Sequence, residues 1–279
     1  MSVELPEAKI LVEQINQTLQ GKQVKSCLLQ DCDRLQRIGM MCKDLTTFDR
    51  LVDAKIVSAV SRGNVIRAKF DNGFNLIIGL EYGGELFYHE DEENVSKFHL
   101  KIDFSDDTTL TLRLTSMGII KALKDNELSS SYVFKRDFDT EKLSPLDEEF
   151  TEERFSELLT ANNRMLKAVL VGKDAIIVGL SNSAFQDIIY RARLHPKRKA
   201  SELNPEEMRR LHKAIRLMLK ERIRLNGKDS FRDMHGRQGG YVPTMGPNMK
   251  QQTCPECGVT IEKLSLGGGQ VYLCPTCQV

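Results

Sequence analysis

The sequence predicts an α+β fold in which a β-sandwich with one leading helix comes first, a helical region follows, and a small cysteine-bearing β-hairpin ends the chain. Three observations carry this prediction. Short segments rich in β-branched and aromatic residues fill the first 125 residues, apolar residues recur at helical spacing after residue 150, and four of the seven cysteines lie in the last 26 residues. With 279 residues, 41% hydrophobic and 28% charged, the chain can bury one large core or two moderate ones.

The first lobe is predicted to span residues 1–130. Apolar residues recur at helical spacing over residues 7–20, and Gly21 ends that helix. Six strand-like segments follow, at residues 22–29, 55–60, 65–70, 74–80, 98–104 and 108–114. The turn Asp71-Asn72-Gly73 between two of them favours a hairpin. Several short strands at close spacing behind one helix indicate a β-sandwich.

The second lobe is predicted to span residues 131–249. The polar residues 125–150 are typical of a linker, and helices are predicted beyond them, at residues 151–159, 183–193 and 205–224. The last helix has the clearest start, because Asn204 can cap it and Glu207 completes a capping box. The Gly- and Pro-rich residues 227–249 are typical of a long loop, and loops of this length are often functional.

The cysteines near the C-terminus form two Cys-x-x-Cys pairs separated by sixteen residues: Cys254 with Cys257, and Cys274 with Cys277. This is the spacing of a four-thiolate zinc ribbon, so residues 250–279 are predicted to be a zinc-ribbon β-hairpin holding one Zn²⁺. Four thiolates leave no open position on the metal, so the ion is structural. The other cysteines are expected to be reduced and partly buried: Cys27, Cys32 and Cys42.

The formal net charge of +1 conceals a strongly basic window. Residues 190–224 hold twelve Lys and Arg against four Asp and Glu, so this window carries +8 and the rest of the chain −7. A basic patch is the electrostatic footprint of a phosphate backbone, although a lone basic helix is more often a solvated face. No apolar stretch approaches the ~20 residues of a membrane span, and the N-terminus does not resemble a signal peptide. We therefore expect a cytoplasmic protein with no membrane partner.

Several motifs resemble the formamidopyrimidine-DNA glycosylase and endonuclease VIII family. They occur in the family's order, as Glu4-Leu5-Pro6-Glu7, Gly179-Leu180-Ser181-Asn182, Ala192-Arg193-Leu194-His195-Pro196, Cys254-Pro-Glu-Cys257-Gly258 and Tyr272-Leu273-Cys274-Pro275-Thr276-Cys277-Gln278. The resemblance implies two lobes with a positively charged cleft, a helix–two-turns–helix motif around residues 165–193 and a zinc hairpin that grips DNA beside a flipped nucleotide. We expect a monomer.

The resemblance also implies which residues contact nucleic acid. Lys167 matches a phosphate-binding lysine, and Asn182 matches a phosphate-binding asparagine, although Asn182 could also be a simple helix cap. Arg209 and Lys213 on the basic helix are expected to add attraction for the backbone. Met117, in the loop where the family inserts an arginine and an aromatic residue, could wedge between bases or be buried.

The match to the family's chemistry fails at the N-terminus. The family uses an N-terminal amine, usually of proline, to attack the sugar C1′ beside a glutamate. Aligning Glu4 with that glutamate puts Val3 in the proline's place, and the lone pair of its amide nitrogen is delocalised. A Ser2 amine freed by Met1 removal would lie one residue out of place, up to ~3.5 Å. Glu4 and Glu7 could also be explained by the dipole of a helix start.

Two cations of the family are missing as well. Its lysine in an early strand falls at Asn64, with Lys69 nearby as the alternative match, and its arginine at the tip of the zinc hairpin falls at Gly269. The lesion pocket would lie in residues 227–249, with Tyr241.

Three functions fit these observations. The first is a DNA-binding protein of base-excision repair for damaged, distorted or abasic duplex DNA, whose proline-based lyase chemistry is lost or weakened. The second is an active bifunctional DNA glycosylase and AP lyase that uses the Ser2 amine and Glu4, or water activated by Glu4 or Glu7. The third is an RNA- or ribosome-binding factor on the same scaffold, since zinc ribbons and basic helices bind RNA as readily.

Overall fold

The computed structural model describes residues 3–91, 95, 97–138 and 140–279. By their contacts they form two compact units. The N-terminal unit comprises Met1–Thr140 and Leu225–Gly240, and the C-terminal unit comprises Glu141–Arg224 and Tyr241–Val279. The domain boundaries at residues 130 and 249 stay predictions, because contacts report packing and not the ability to fold alone.

The N-terminal unit begins with helix α1 (Leu5–Leu19), which packs on two strands, at Ile56–Arg62 and Val65–Phe70. Eight strands follow: β1 Val24–Leu29, β2 Ile56–Arg62, β3 Val65–Phe70, β4 Phe74–Gly79, β5 Gly84–His89, β6 Leu100–Phe104, β7 Thr109–Leu114 and β8 Ile119–Lys124. They form two antiparallel sheets of four strands, with strand orders β1-β6-β7-β5 and β2-β3-β4-β8. The predicted β-sandwich with one leading helix is confirmed.

The turn that the sequence predicts between β3 and β4 forms as expected. Gly73 has φ +79°, and the Asn72 side chain accepts a hydrogen bond from the Phe74 N–H at 3.1 Å. Strands β5 and β8 were not predicted, because glycines and polar residues lie at their ends and blur the alternating pattern. Both strands complete their sheets, since β5 pairs with β7 and β8 pairs with β4.

The polar residues 125–150 are not a plain linker. A 3₁₀ turn (Asp125–Ser130) and helix α3 (Tyr132–Asp137) follow β8, and a short helix α2 (Asp33–Arg37) and a 3₁₀ turn (Leu45–Leu51) lie earlier in the same unit. Leu128, Val133 and Phe134 are buried against Val65, Ile77 and Ile119 of the sheet. These three apolar side chains therefore hold the otherwise polar segment against the sheet.

Residues 225–240 pack within the N-terminal unit although they follow the long basic helix. Asp233 is fully buried and accepts from Gln14 of α1 at 2.8 Å, from Asn226 at 3.1 Å and from Arg237 at 2.8 Å. Burial acts to raise the pKa of Asp233, but these hydrogen bonds outweigh it and lower the pKa. The predicted long loop 227–249 is therefore divided between the two units.

The C-terminal unit holds four helices and the zinc hairpin. They are α4 (Glu152–Thr160), α5 (Leu166–Leu170), α6 (Asn182–Arg191), α7 (Pro205–Arg224), β9 (Glu262–Leu266) and β10 (Gly269–Leu273), with short 3₁₀ turns at Ala200–Glu202 and Pro247–Met249. The capping box of α7 is confirmed, because Asn204 Oδ1 accepts from the Glu207 N–H at 2.9 Å and the Asn204 N–H donates to Glu207 Oε2 at 2.8 Å.

Helices α5 and α6, with the turns between them, form the predicted helix–two-turns–helix motif. The cap of α6 is Ser181, whose hydroxyl accepts from the Ser183 N–H at 3.1 Å. Asn182 is the first residue of the helix, so its side chain is available for another contact. Within the described parts of the chain, no helix is long and apolar enough to cross a bilayer.

Candidate functional site

The four C-terminal cysteines converge on one point at the base of the β9–β10 hairpin. One ligand atom from each of Cys254, Cys257, Cys274 and Cys277 lies within 4.8 Å of the others. The Gly258 N–H donates to the Cys254 carbonyl at 2.9 Å, and the Cys277 N–H approaches Cys274 Sγ at 3.3 Å, which is the tight turn of a zinc knuckle. Four sulfurs at this spacing fit one tetrahedral Zn²⁺ and leave no position for a substrate, so the predicted structural zinc is confirmed.

Helix α6 anchors this hairpin. The Tyr272 N–H donates to Gln186 Oε1 at 2.8 Å, and the Tyr190 hydroxyl lies 3.3 Å from Cys254 Sγ. Tyr190, Ile261 and Tyr272 are buried together with Cys254 and Cys274 in a small apolar cluster. The remaining cysteines are free as predicted, with Cys32 and Cys42 buried and Cys27 half-buried.

Lys167, Asn182 and the tip of the hairpin lie together, and the contacts of the two side chains with phosphate stay predictions. Lys167 Nζ donates to the Leu266 carbonyl, and Asn182 Nδ2 donates to the Gln270 carbonyl at 2.9 Å. A Cβ added at Gly269 would lie 3.2 Å from Lys167 Nζ and 3.6 Å from Asn182 Nδ2. Burial lowers the pKa of Lys167. Among the described residues, the buried Asn182 Oδ1 has no hydrogen-bond partner.

The basic window is partly neutralised by its own neighbours. Arg209 pairs with Glu206 at 2.6 Å and with Glu152 at 3.2 Å, whereas Lys213 lies exposed on the same helix. Arg198 makes two hydrogen bonds of 3.0 Å to the capping residue Glu207. The predicted contacts of Arg209 and Lys213 with nucleic acid stay predictions.

In the N-terminal unit, Glu4 and Glu7 lie at the start of α1 and are both buried. Glu4 is the N-cap residue, and its N–H donates to Glu7 Oε2 at 3.1 Å in a capping box. Lys228 reaches both acids: its Nζ pairs with Glu4 Oε1 at 3.0 Å, and its backbone N–H donates to Glu7 Oε1 at 3.1 Å. Sequence reasoning missed Lys228, since it lies 221 positions after Glu7 in the chain.

The Val3 nitrogen, which aligns with the family's proline amine, takes part in a backbone hydrogen bond. Val3 is buried, and its N–H donates to the Leu80 carbonyl at 3.1 Å. An amide held in this way is no nucleophile. Ser2, the other predicted catalytic residue, lies outside the described residues.

Asn64, where the family has a lysine, is contacted by an arginine that the sequence did not reveal. Arg136 Nη2 donates to Asn64 Oδ1 at 2.6 Å, while its other nitrogens pair with Glu81 at 2.5 Å and Asp137 at 2.7 Å. Burial acts to lower the pKa of Arg136, but the two carboxylates raise it above its usual range. Two acids on one cation leave this cluster with no surplus positive charge.

Met117 is exposed over 54% of its surface, which rules out the interpretation of a buried methionine. The Tyr82 N–H donates to the Met117 carbonyl at 3.0 Å, and Tyr82 is itself 63% exposed. Gly83, at φ +124°, brings the two loops together, because a Cβ there would lie 2.3 Å from Thr115 Oγ1. The hydrogen-bonded loops therefore carry one exposed aromatic and one exposed apolar side chain, and Tyr82 is a candidate that the sequence analysis did not single out.

Tyr241, which the sequence analysis assigns to the lesion pocket, is held in a polar network. It is almost fully buried in the C-terminal unit, and its hydroxyl donates to Asp187. Burial, together with the Asp187 carboxylate, raises the pKa of Tyr241 above its usual range. Arg191 donates to the Tyr241 hydroxyl at 3.1 Å and to Glu221 at 3.0 Å, so this tyrosine belongs to a buried polar network.

Comparison with known proteins places these features in one family. The formamidopyrimidine-DNA glycosylase N-terminal domain matches residues 3–116, the formamidopyrimidine-DNA glycosylase H2TH domain matches residues 142–233, and the zinc finger found in FPG and IleRS matches residues 251–279. The formamidopyrimidine-DNA glycosylases of Pelotomaculum thermopropionicum and Chloroflexus aurantiacus are 29% and 27% identical to the chain, each over 99% of it and over 98% and 97% of their own lengths.

Solved structures agree on the fold. The Lactococcus lactis Fpg in a complex with DNA that contains an abasic site superposes with a TM-score of 0.84 at 21% identity. MutM in complex with DNA containing carbocyclic 8-oxo-G superposes with a TM-score of 0.83 at 22% identity. Each covers 99% of this chain and 99% of the other.

The fold and the four-thiolate site thus define a zinc-finger protein of the helix–two-turns–helix class. Three consecutive family models match most of the chain in the family's order. The chain belongs to the formamidopyrimidine-DNA glycosylase and endonuclease VIII family.

Proposed function

We propose that the protein binds duplex DNA at damaged or abasic sites, as a member of the base-excision-repair machinery in which the usual N-terminal-amine lyase chemistry is lost or weakened. The observation that carries this proposal is the cluster of Lys167, Asn182 and the hairpin tip. These three parts are separated by up to 103 positions in the sequence, from Lys167 to Gln270, and the fold brings their polar atoms together at one surface.

The cluster suits a phosphate. Lys167 supplies a point charge, Asn182 supplies amide N–H donors, and the N-terminus of the ten-residue helix α6 adds the positive end of its dipole. In the free protein the two side chains donate to the carbonyls of Leu266 and Gln270. A phosphate oxygen is a stronger acceptor for these donors than a neutral carbonyl, so DNA would draw both side chains away from the hairpin.

Two further features support DNA as the ligand. Tyr82 and Met117 form an exposed pair suited to stacking on a base or to wedging at an unpaired step. Relatives across the full chain length are formamidopyrimidine-DNA glycosylases, and the Lactococcus lactis Fpg has been solved with abasic DNA. Because the Val3 nitrogen is an amide that donates to Leu80, the reaction of the family's N-terminal amine has no equivalent at that position.

The test is a comparison of three labelled ligands by fluorescence anisotropy: a duplex with a tetrahydrofuran abasic analogue, the intact duplex, and a structured RNA of matched length. Measurement at several salt concentrations gives the salt slope, which reports phosphate contacts. The ratio of the affinities for the abasic and intact duplexes at each salt concentration reports specific binding. We expect the abasic duplex to bind most tightly. Equal affinity for the abasic and intact duplexes, or tighter binding to RNA, would contradict the proposal.

Single substitutions test whether Lys167 and its neighbours are responsible for DNA binding. We expect Lys167→Ala to weaken binding to both duplexes and to reduce the salt slope by about one unit, as the loss of one phosphate contact should. Lys25→Ala, at an exposed lysine of the N-terminal unit that pairs with Asp107, serves as the matched control.

A further inference from the structure

One primary amine of the N-terminal unit lies against the family's glutamate, and no function has so far been assigned to it. Lys228 Nζ lies 3.0 Å from Glu4 Oε1, and the two residues are 8% and 2% exposed. We propose that Lys228 supplies the nucleophile of an abasic-site lyase reaction, in place of the missing terminal amine, with Glu4 as its proton partner. This inference rests on the proposed function, because it requires the protein to bind abasic DNA.

The backbone around Lys228 is built to hold it against the helix start. Gly227 has φ +85°, and a Cβ there would lie 2.6 Å from Phe231 and 3.2 Å from the Glu7 carboxylate. A Cβ at Gly239 would lie 2.1 Å from the Lys228 carbonyl oxygen. Both positions require glycine, so the chain passes close to Glu7 only because side chains are absent there.

Hydrogen bonds fix the same segment from two sides. The Lys228 N–H donates to Glu7 Oε1 at 3.1 Å, and Asp233 ties the segment to α1 through Gln14 at 2.8 Å. The Met234 N–H also donates to Gln14 Oε1 at 3.0 Å. The backbone of Lys228 is therefore positioned by α1 itself, while its flexible four-carbon side chain can move the amine away from Glu4 towards a sugar.

The chemistry balances with the groups present. Lys228 passes a proton to Glu4, and the neutral amine adds to the C1′ aldehyde of the ring-opened abasic sugar. The resulting carbinolamine takes a proton from Glu4 and loses water, which leaves a protonated imine. Glu4, a carboxylate again, takes a C2′ proton, and the electron pair of that C–H bond forms the C1′=C2′ bond of an enamine. The enamine expels the 3′ phosphate as the C3′–O bond breaks, and Glu4 then releases its proton to water. Water hydrolyses the imine, which releases the unsaturated aldehyde and restores the amine. No oxidant or reductant is consumed.

The experiment is borohydride trapping of the full zinc-loaded chain on a duplex with a true abasic site, followed by peptide mapping of the adduct by mass spectrometry. We expect a covalent adduct on the peptide that contains Lys228. Lys228→Arg keeps the positive charge opposite Glu4 but has no comparable nucleophile, so we expect it to bind the abasic duplex normally and to give no adduct. Lys9→Arg, at an exposed lysine of α1 that pairs with Glu13 at 3.7 Å, should trap as the parent does.

A second variant separates the two amines that could react. An extension of Gly-Ser-Gly ahead of Met1 moves the terminal amine, and we expect trapping on Lys228 to persist in it. An adduct on the N-terminal peptide, or normal trapping by Lys228→Arg, overturns the inference. Binding of the abasic duplex with no adduct at all overturns it too, yet leaves the proposed function intact, whereas absence of selective binding defeats the proposed function itself.

Discussion

Glu4 and Glu7 share one partner, Lys228, which offers its ammonium to one acid and its backbone N–H to the other. The two acids also complete a capping box, so the favourable position of carboxylates at a helix start contributes as well. Removal of one partner from a buried ion pair typically costs about 3–5 kcal/mol, because the other charge is left without compensation. The same three residues therefore stabilise the start of α1 and supply the groups proposed for the lyase reaction.

Gly227 offers a test of how closely Lys228 must approach α1. We expect Gly227→Ala to destabilise the protein by about 2–4 kcal/mol, since it combines an unfavourable positive φ with overpacking against Phe231 and Glu7. Gly21→Ala is the matched control: Gly21 has φ +83° but nothing lies within 4 Å of its added Cβ, so about 1–2 kcal/mol is expected. Urea unfolding measures both. Equal losses would show that the close approach to Glu7 contributes nothing.

Among the elements, α6 and the zinc hairpin form one framework for the candidate phosphate site. Their contacts run from Asn182 at the start of α6 through Gln186 to Tyr190 in its last turn, and each reaches a different part of the hairpin. The position of Gly269 therefore follows from the zinc site below it and from the helix beside it. A side chain placed there would project next to Lys167.

Gly269→Arg restores the cation that the family carries at the hairpin tip. We expect it to raise DNA affinity and to steepen the salt dependence by about one unit of log–log slope, because one more phosphate is neutralised. The backbone tolerates the change, since Gly269 is not at a positive φ. Its Cβ would meet the movable end of Lys167 at 3.2 Å and would lie in ordinary contact with Asn182 Nδ2 at 3.6 Å. Gly269→Ala, which adds the Cβ without the charge, is the control. An unchanged salt slope in the arginine variant would show that this tip does not reach phosphate.

Across the molecule, the two units use different means of stabilisation. The N-terminal unit has two four-stranded sheets. Residues 225–240 pack within the same unit, and the buried Asp233 joins them to α1 by a hydrogen bond from Gln14. The hairpin of the C-terminal unit has only a small apolar cluster around its cysteines. So small a core rarely folds alone, and metal binding contributes directly to its folding.

We therefore expect zinc removal to destabilise the hairpin of the C-terminal unit and to leave the N-terminal unit folded. We expect a chelator to abolish hydrogen-exchange protection in β9 and β10 and to weaken DNA binding, while the sheets of the N-terminal unit stay protected. Cys254→Ser should do the same without a chelator. Cys27→Ser, at a free half-buried cysteine, should keep one zinc per chain. If β9 and β10 keep their protection without metal, the structural role assigned to zinc is wrong.

Local patterns in the sequence anticipated much of this fold. The bounds of α7, its capping box and the Asn72-Gly73 turn depend on residues a few positions apart, and they are confirmed. The four-thiolate zinc site is confirmed too, because each of its two Cys-x-x-Cys pairs is itself a local pattern. Strands β5 and β8 were missed because their pattern is weak without the neighbours that bury them. The neutralisation of Arg209 by Glu152 was also invisible, since the partner lies 57 residues away.

The sequence by itself determined the class of the protein: the order of its lobes, its zinc ligands and the replacement of the family's proline by an internal valine. Only the tertiary structure decided that the Val3 N–H donates to Leu80, that residues 225–240 return to α1, and that Lys228 faces Glu4 across 224 positions of chain. Spacing rules describe residues that are neighbours along the backbone. The partner of a buried charge can lie anywhere in the sequence, and the fold must bring it close, because a buried charge left unpaired costs about 3–5 kcal/mol.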